Sequence, residues 1–184
     1  MNKIIAIVGM CGSGKSIASS FFEDLGWKKV YFGGITLKKM EEENIEINPE
    51  NEKIMREKLR EIYGMGAYAI LSIPDIEEYY KNGNVIIDGL YSWDELKILK
   101  EKFGEDLKVL AIICDKDVRY ERLTKRDYRP LNNEEAKRRD ISEIENLAKG
   151  GPIVYADYYI LNNNDMDSYI RDLERLYKEI IEKE

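Results

Sequence analysis

Short apolar runs alternate along this chain with segments of helical spacing. Ile4 to Val8 is an unbroken apolar run ending at Gly9, the pattern of a strand buried on both faces of a parallel sheet. Ser16 to Leu25 has helical spacing and Gly26 stops it; Lys29 to Phe32 predicts a second strand, ending at Gly33-Gly34. From Thr36 to about Tyr80 the pattern is mainly helical, rich in Glu and Lys, with breaks expected at Asn48-Pro49, Gly64, Gly66 and Pro74. Val85 to Asp88 reads as a third strand, Trp93 to Phe103 as a helix and Leu107 to Cys114 as a fourth strand. A helix over Asp117 to Lys125, a basic loop to Pro130 and a helix from Asn132 to about Ala148 follow. Tyr158 to Leu161 is the fifth strand. Asp165 to about Ile181 closes the chain as a helix with Met166, Tyr169, Ile170, Leu173, Leu176, Ile180 and Ile181 on one apolar face.

This alternation predicts an α/β fold, a doubly wound parallel sheet between two helical layers. A length of 184 residues suits one such domain over 1–184 with a sizeable core. The 43% hydrophobic and 35% charged composition makes it globular with a highly charged surface. Abundant Lys, Glu and Ile with no His fit a thermophile. The absence of His also removes Ser-His-Asp and Cys-His nucleophilic sites and His metal ligands, leaving a carboxylate, Lys or Tyr as any general base. A net charge of −7 argues against a nucleic-acid partner. Cys11 and Cys114 lack the spacing of a zinc or disulfide framework. The N-terminus does not fit a signal peptide, and no apolar run approaches the ~20 residues that span a bilayer. The expectation is a cytoplasmic protein without a membrane partner.

The chemistry begins at Gly9-Met-Cys-Gly-Ser-Gly-Lys-Ser16, which fits G-x-x-x-x-G-K-[ST] between a strand and a helix. Gly12 and Gly14 let the backbone curl so that its N–H groups meet phosphate oxygens, and the helix starting near Lys15 adds its positive end. Lys15 is expected to reach the β- and γ-phosphates, and Ser16 to ligate magnesium. The expected nucleotide-binding set is Gly9, Cys11, Gly12, Ser13, Gly14, Lys15, Ser16 and Ile17. Asp88 stands alone at the carboxyl end of an apolar strand, where open α/β sheets bind ligands. It is expected to complete the magnesium shell or accept a hydroxyl proton. Asp115 and Asp117 are rivals, but Asp117 also reads as a helix N-cap. Arg119, Arg122, Arg126 and Arg129 recur every three or four residues. The first three fall on one side of a helix, suiting either an arginine lid over a transferring phosphoryl group or a solvated face paired with Glu121, Glu134 and Glu135.

Four stretches now resemble the dephospho-CoA kinase and nucleoside monophosphate kinase group of P-loop kinases. They are the loop with its helix ending Phe-Glu-Asp-Leu-Gly26, Val-Ile-Ile-Asp88-Gly-Leu-Tyr-Ser, Glu-Arg122-Leu-Thr-Lys-Arg126-Asp running on to Asn-Glu-Glu-Ala-Lys-Arg-Arg139, and Ala156-Asp-Tyr-Tyr-Ile-Leu-Asn162. The chain looks closest to an archaeal branch related to dephospho-CoA kinases. The resemblance implies a P-loop NTPase with strand order 2-3-1-4-5, a helical acceptor-binding insert at about 36–81 and a lid at about 119–148. It implies Arg122 and Arg126 in the lid, Arg139 closing on phosphates and Asn162 near the nucleotide base. It also implies an ATP- and magnesium-dependent kinase. One departure stands out. Dephospho-CoA kinases end strand two in an acid, and Tyr-Phe-Gly-Gly34 stands here instead. That favours a small phosphorylated acceptor, such as a nucleoside monophosphate, which needs positioning more than a base. Tyr31, Tyr63, Tyr68, Tyr79, Tyr80 and Tyr91 suit either ring stacking or packing. The alternative reading is a regulatory ATPase with weak hydrolysis and no small-molecule acceptor.

Overall fold

The computed structural model describes residues 2–182. β1 (Ile4–Val8) lies at the centre of the sheet with every residue buried. β3 (Val85–Asp88) and β4 (Leu107–Ile113) flank it, β2 (Lys28–Tyr31) lies outside β3, and β5 (Tyr158–Leu161) lies outside β4. All pairings are parallel, so the expected five-stranded order β2-β3-β1-β4-β5 is found.

Side chains alternate across each strand, and the two faces collect different helices. Ile4, Ala6, Val8, Val85, Ile87 and Val109 pack with α2 (Phe32–Glu42), α3 (Pro49–Tyr63), α4 (Ala67–Asn82) and α5 (Trp93–Phe103). Ile5, Ile7, Ile86, Leu110 and Ile112 pack with α1 (Lys15–Asp24) and α9 (Met166–Glu182). Each fully buried isoleucine contributes about 1.5–3 kcal/mol. Because β1 is apolar on both faces, periodicity alone leaves its register open; the pairing of Ile7 with Asp88 and with Leu110 fixes it. α6 (Lys116–Lys125), α7 (Asn133–Leu147) and the short α8 (Gly150–Val154) lead from β4 to β5. Among the described residues, no helix is long and apolar enough to cross a membrane.

Several boundaries differ from the sequence expectation. β2 stops at Tyr31, and Gly33-Gly34 fall in the first turn of α2 rather than ending the strand. Pro74 sits inside α4 instead of breaking it. Asp115, not Asp117, is the residue before α6. Met166 is exposed, so the buried stripe of α9 is Tyr169, Leu173, Leu176 and Ile180. α8 follows from no apolar pattern in the sequence, since Gly150-Gly151-Pro152 are poor helix formers. The strong starts are legible. Ser92 and Glu95 form a reciprocal capping box on α5, and Asn132 and Glu135 do so on α7.

Candidate functional site

All five strands run the same way, so the loops after Val8, Tyr31, Asp88, Ile113 and Leu161 gather at one edge. The glycine loop after β1 lies there. Gly12 (φ +83°) and Gly14 (φ +99°) have left-handed backbones. A β-carbon on Gly12 would strike the Arg119 carbonyl, and one on Gly14 would strike the Asn162 amide. The loop therefore requires glycine at both places for conformation and for space. No side chain caps α1, so its first N–H groups face the loop. Ser13 Oγ is buried with no hydrogen-bond partner. These features fit a polyphosphate, which would accept from the loop N–H groups and the serine hydroxyl.

Lys15 Nζ donates to the Met10 carbonyl at 2.9 Å, folding over its own loop. Burial, then the charge of Lys149, push its pKa down to about 8, partly opposed by Glu143 and Asp88. Asp88 is half-buried at the end of β3, and burial raises its pKa, partly opposed by Lys15. Ser16 is the second residue of α1 and is exposed. Its hydroxyl and the Asp88 carboxylate are hard oxygen donors, the chemistry that suits magnesium. Across the sheet from Asp88 stands Tyr31, so no acid ends β2.

A second group of side chains grips the loop from below. Arg119, 6% exposed, donates to the Cys11 carbonyl at 2.9 Å and forms a two-pronged pair with Asp140 at 2.9 and 2.6 Å. Asn162, 5% exposed, donates from Nδ2 to the Ser13 carbonyl at 2.9 Å. Tyr169 Oη donates to the Gly14 carbonyl at 3.0 Å. Asn162 thus sits under the phosphate loop. Arg122 donates to the Asn162 carbonyl at 2.9 Å and contacts Cys114 Sγ, which ties it to the end of β5.

The expected arginine face does not exist as a unit. Arg119 is a buried strut, Arg122 turns toward β5, and Arg126 leaves the helix with an extended backbone. Arg126 Nε donates to the Arg129 carbonyl, while Arg129 reaches Glu52 on α3 at 2.9 Å. That link joins the 126–132 segment to the helices between β2 and β3. Of the residues weighed as counter-charges, Glu121 pairs with Lys125, and Glu135 is spent on the α7 cap.

Tyr68 on α4 meets Tyr91, in the segment between β3 and α5, edge to face with centroids 6.0 Å apart. Thr36 and Tyr68 share a hydrogen bond of 2.8 Å, and Arg60 lies over the Tyr68 ring at 5.5 Å. Both tyrosines are therefore packing residues. Burial raises the Glu95 pKa to about 7, against backbone donors from Tyr91 and Ser92. Its Oε1 and the Nε of Arg60 are buried without partners. Sequence reasoning missed Asp140, Tyr169, Glu95, Glu143 and Lys149. Each reads as a surface or core residue until the chain folds, and only Glu95 carried a signal, its capping-box spacing from Ser92.

A glycine loop after the central strand of a 2-3-1-4-5 parallel sheet defines a P-loop kinase-like domain. The AAA domain family profile matches residues 5–148. The chain is 35% identical over 182 residues to a UPF0200 protein of Pyrococcus abyssi, covering 97% of each chain. It is 34% identical over 182 residues to a UPF0200 protein of Methanococcus maripaludis, covering 97% and 98%. The chain therefore belongs to the UPF0200 proteins and carries an AAA domain. Its fold is also similar to that of shikimate kinase from Acinetobacter baumannii in complex with shikimate, at TM-score 0.64 and 14% identity over 100% of this chain and 96% of that one. A gluconokinase from Sinorhizobium meliloti matches at TM-score 0.58 and 14% identity over 97% and 95%.

Proposed function

We propose that this protein is an ATP- and magnesium-dependent kinase whose acceptor is a nucleotide or nucleotide-like small molecule carrying a phosphate. Nucleoside monophosphates and dephospho-CoA are the leading acceptors. The observation that carries the reading is the placement of Lys15 and Asp88 together at the mouth of a loop that tolerates only glycine at positions 12 and 14. In this reading residues 1–184 are one kinase domain, with an acceptor-binding insert at about 36–81 and a lid at about 119–148.

The loop N–H groups and the start of α1 hold the β-phosphate, and Lys15 leaves the Met10 carbonyl to reach the β- and γ-oxygens. Ser16 and Asp88 would hold magnesium, which neutralises phosphate charge when bound. For a hydroxyl acceptor, Asp88 takes the proton. For a phosphate acceptor no base is needed, which agrees with Tyr31 standing where an acid would end β2. Arg126 is a lid residue in this reading, and Arg122 braces Asn162 and the nucleotide side of the loop. Tyr31 also supports the second reading, a regulatory ATPase with weak hydrolysis.

A coupled ADP-release assay across a panel of nucleoside monophosphates, dephospho-CoA and small phosphorylated compounds tests the proposal. One acceptor should raise the rate at least tenfold. Lys15→Ala should abolish release, and Arg126→Ala should slow it while leaving ATP affinity within threefold. Slow release indifferent to every acceptor would leave the regulatory ATPase standing instead.

A further inference from the structure

Lys149 has no obvious reason to be inside the protein. Ala148, the residue that follows α7, is in the left-handed conformation, φ 49°, an arrangement unfavourable for a residue with a β-carbon. The next residue, Lys149, is turned inward and is only 1% exposed. Its ammonium donates to Glu143 Oε2 at 2.8 Å and lies 5.4 Å from the centre of the Tyr91 ring. Glu143 is shared, because its other oxygen accepts from Arg139 Nε at 3.2 Å. Burial opposes ionisation of Glu143, yet Lys149 and Arg139 hold its carboxyl below the usual range.

This cluster adjoins the phosphate loop. Asp140, one turn before Glu143 on α7, holds Arg119 against the Cys11 carbonyl of the loop, and the Tyr91 ring that Lys149 faces lies against Gly89, next to Asp88. Glu143 thus shares one carboxylate between two cations, the half-exposed Arg139 and the buried Lys149. Buried positive charge without matching negative charge is costly. A dianionic phosphoryl group would correct the imbalance at the point where Lys15 would meet it.

We infer that Lys149 is a phosphate-binding residue for the terminal phosphoryl group of a nucleoside triphosphate, with Glu143 its counter-ion until that group arrives. The inference rests on the reading that the loop takes a triphosphate. It goes beyond that reading by assigning a lysine at the α7–α8 junction, outside the loop motif and outside the arginine run. The loop N–H groups serve the α- and β-phosphates, and Lys15 spans the β- and γ-oxygens. The charge added by the third phosphate is what Lys149 answers, so its contribution is selective for triphosphate over diphosphate.

Isothermal titration of the full chain with ADP and with a non-hydrolysable ATP analogue, both with magnesium, tests this without any acceptor. Lys149→Met should weaken the analogue at least tenfold and ADP less than twofold, and Lys149→Arg should restore most of the loss. Equal losses for the two nucleotides, or none, overturn the assignment. Should Lys149→Met not fold, Glu143→Gln keeps the lysine and removes its counter-ion. The preference for the analogue over ADP should then rise severalfold, and an unchanged ratio overturns the assignment. A wild-type chain that binds neither nucleotide overturns the triphosphate reading, and this inference with it. Binding of both by the wild type, with Lys149→Met unchanged, removes Lys149 alone.

Discussion

Arg119→Met tests how the loop is held. The substitution keeps an unbranched apolar stem and removes the guanidinium. Three hydrogen bonds go with it: one to the Cys11 carbonyl at 2.9 Å and two to Asp140 at 2.9 and 2.6 Å. Asp140 is 7% exposed and also accepts from the Tyr120 hydroxyl at 3.3 Å. The dominant cost is a carboxylate left buried without its cation, and breaking such a pair from one side costs about 3–5 kcal/mol. For a chain of this size, about 2–4 °C of melting temperature accompanies each kcal/mol, giving a fall of roughly 6–20 °C. Arg119→Met with Asp140→Leu removes both charges, and that double variant should recover most of the stability. It should not recover nucleotide affinity, because the Cys11 carbonyl stays unbraced. Urea unfolding gives the stabilities and nucleotide titration gives the affinity. A single variant that loses less than about 1 kcal/mol would refute the reasoning, since pairs that weak are solvent-exposed ones. So would a double variant no more stable than the single.

Two further predictions concern the loop and pH. Gly14→Ala forces a β-carbon onto the Asn162 amide at φ +99°, so it should destabilise the fold by about 1–3 kcal/mol. In a nucleotide titration it should weaken ATP at least tenfold; retained affinity would show that the loop adapts. Glu95 has a folded pKa raised from 4.5 to about 7 by burial, so between those values the folded state binds more protons than the unfolded chain. Stability should therefore fall as pH rises through that window, by up to about 3 kcal/mol from this group. Glu95→Gln keeps a residue able to complete the capping box and should flatten the change in urea midpoint between pH 4.5 and 7; an undiminished slope would place the titration elsewhere.

Much of this protein is decided within a few residues of sequence. Ile4 to Val8 is apolar on both faces and must be a central strand. Gly12, Gly14, Lys15 and Ser16 announce a phosphate loop because no other residue types allow that backbone and that charge together. Asp88 marks the end of β3 because it interrupts an apolar run. Ser92 with Glu95 and Asn132 with Glu135 write helix starts in three-residue spacing. Such features depend on neighbours in the chain, which a sequence displays.

The tertiary structure decided what depends on partners far along the chain. Arginine spacing cannot separate Arg119, which braces Cys11 108 residues away, from Arg126, which turns to Arg129. Asn162 meets Ser13 across 149 residues, so only the pairing of β5 beside β4 reveals its grip on the loop. Lys149 follows a polar helix and precedes two glycines, the pattern of a solvated turn. It becomes a buried cation because the left-handed Ala148 rotates it inward, beneath the cover of Tyr91 and beside Glu143. Charge near a phosphate loop is legible as composition; its placement is a product of packing.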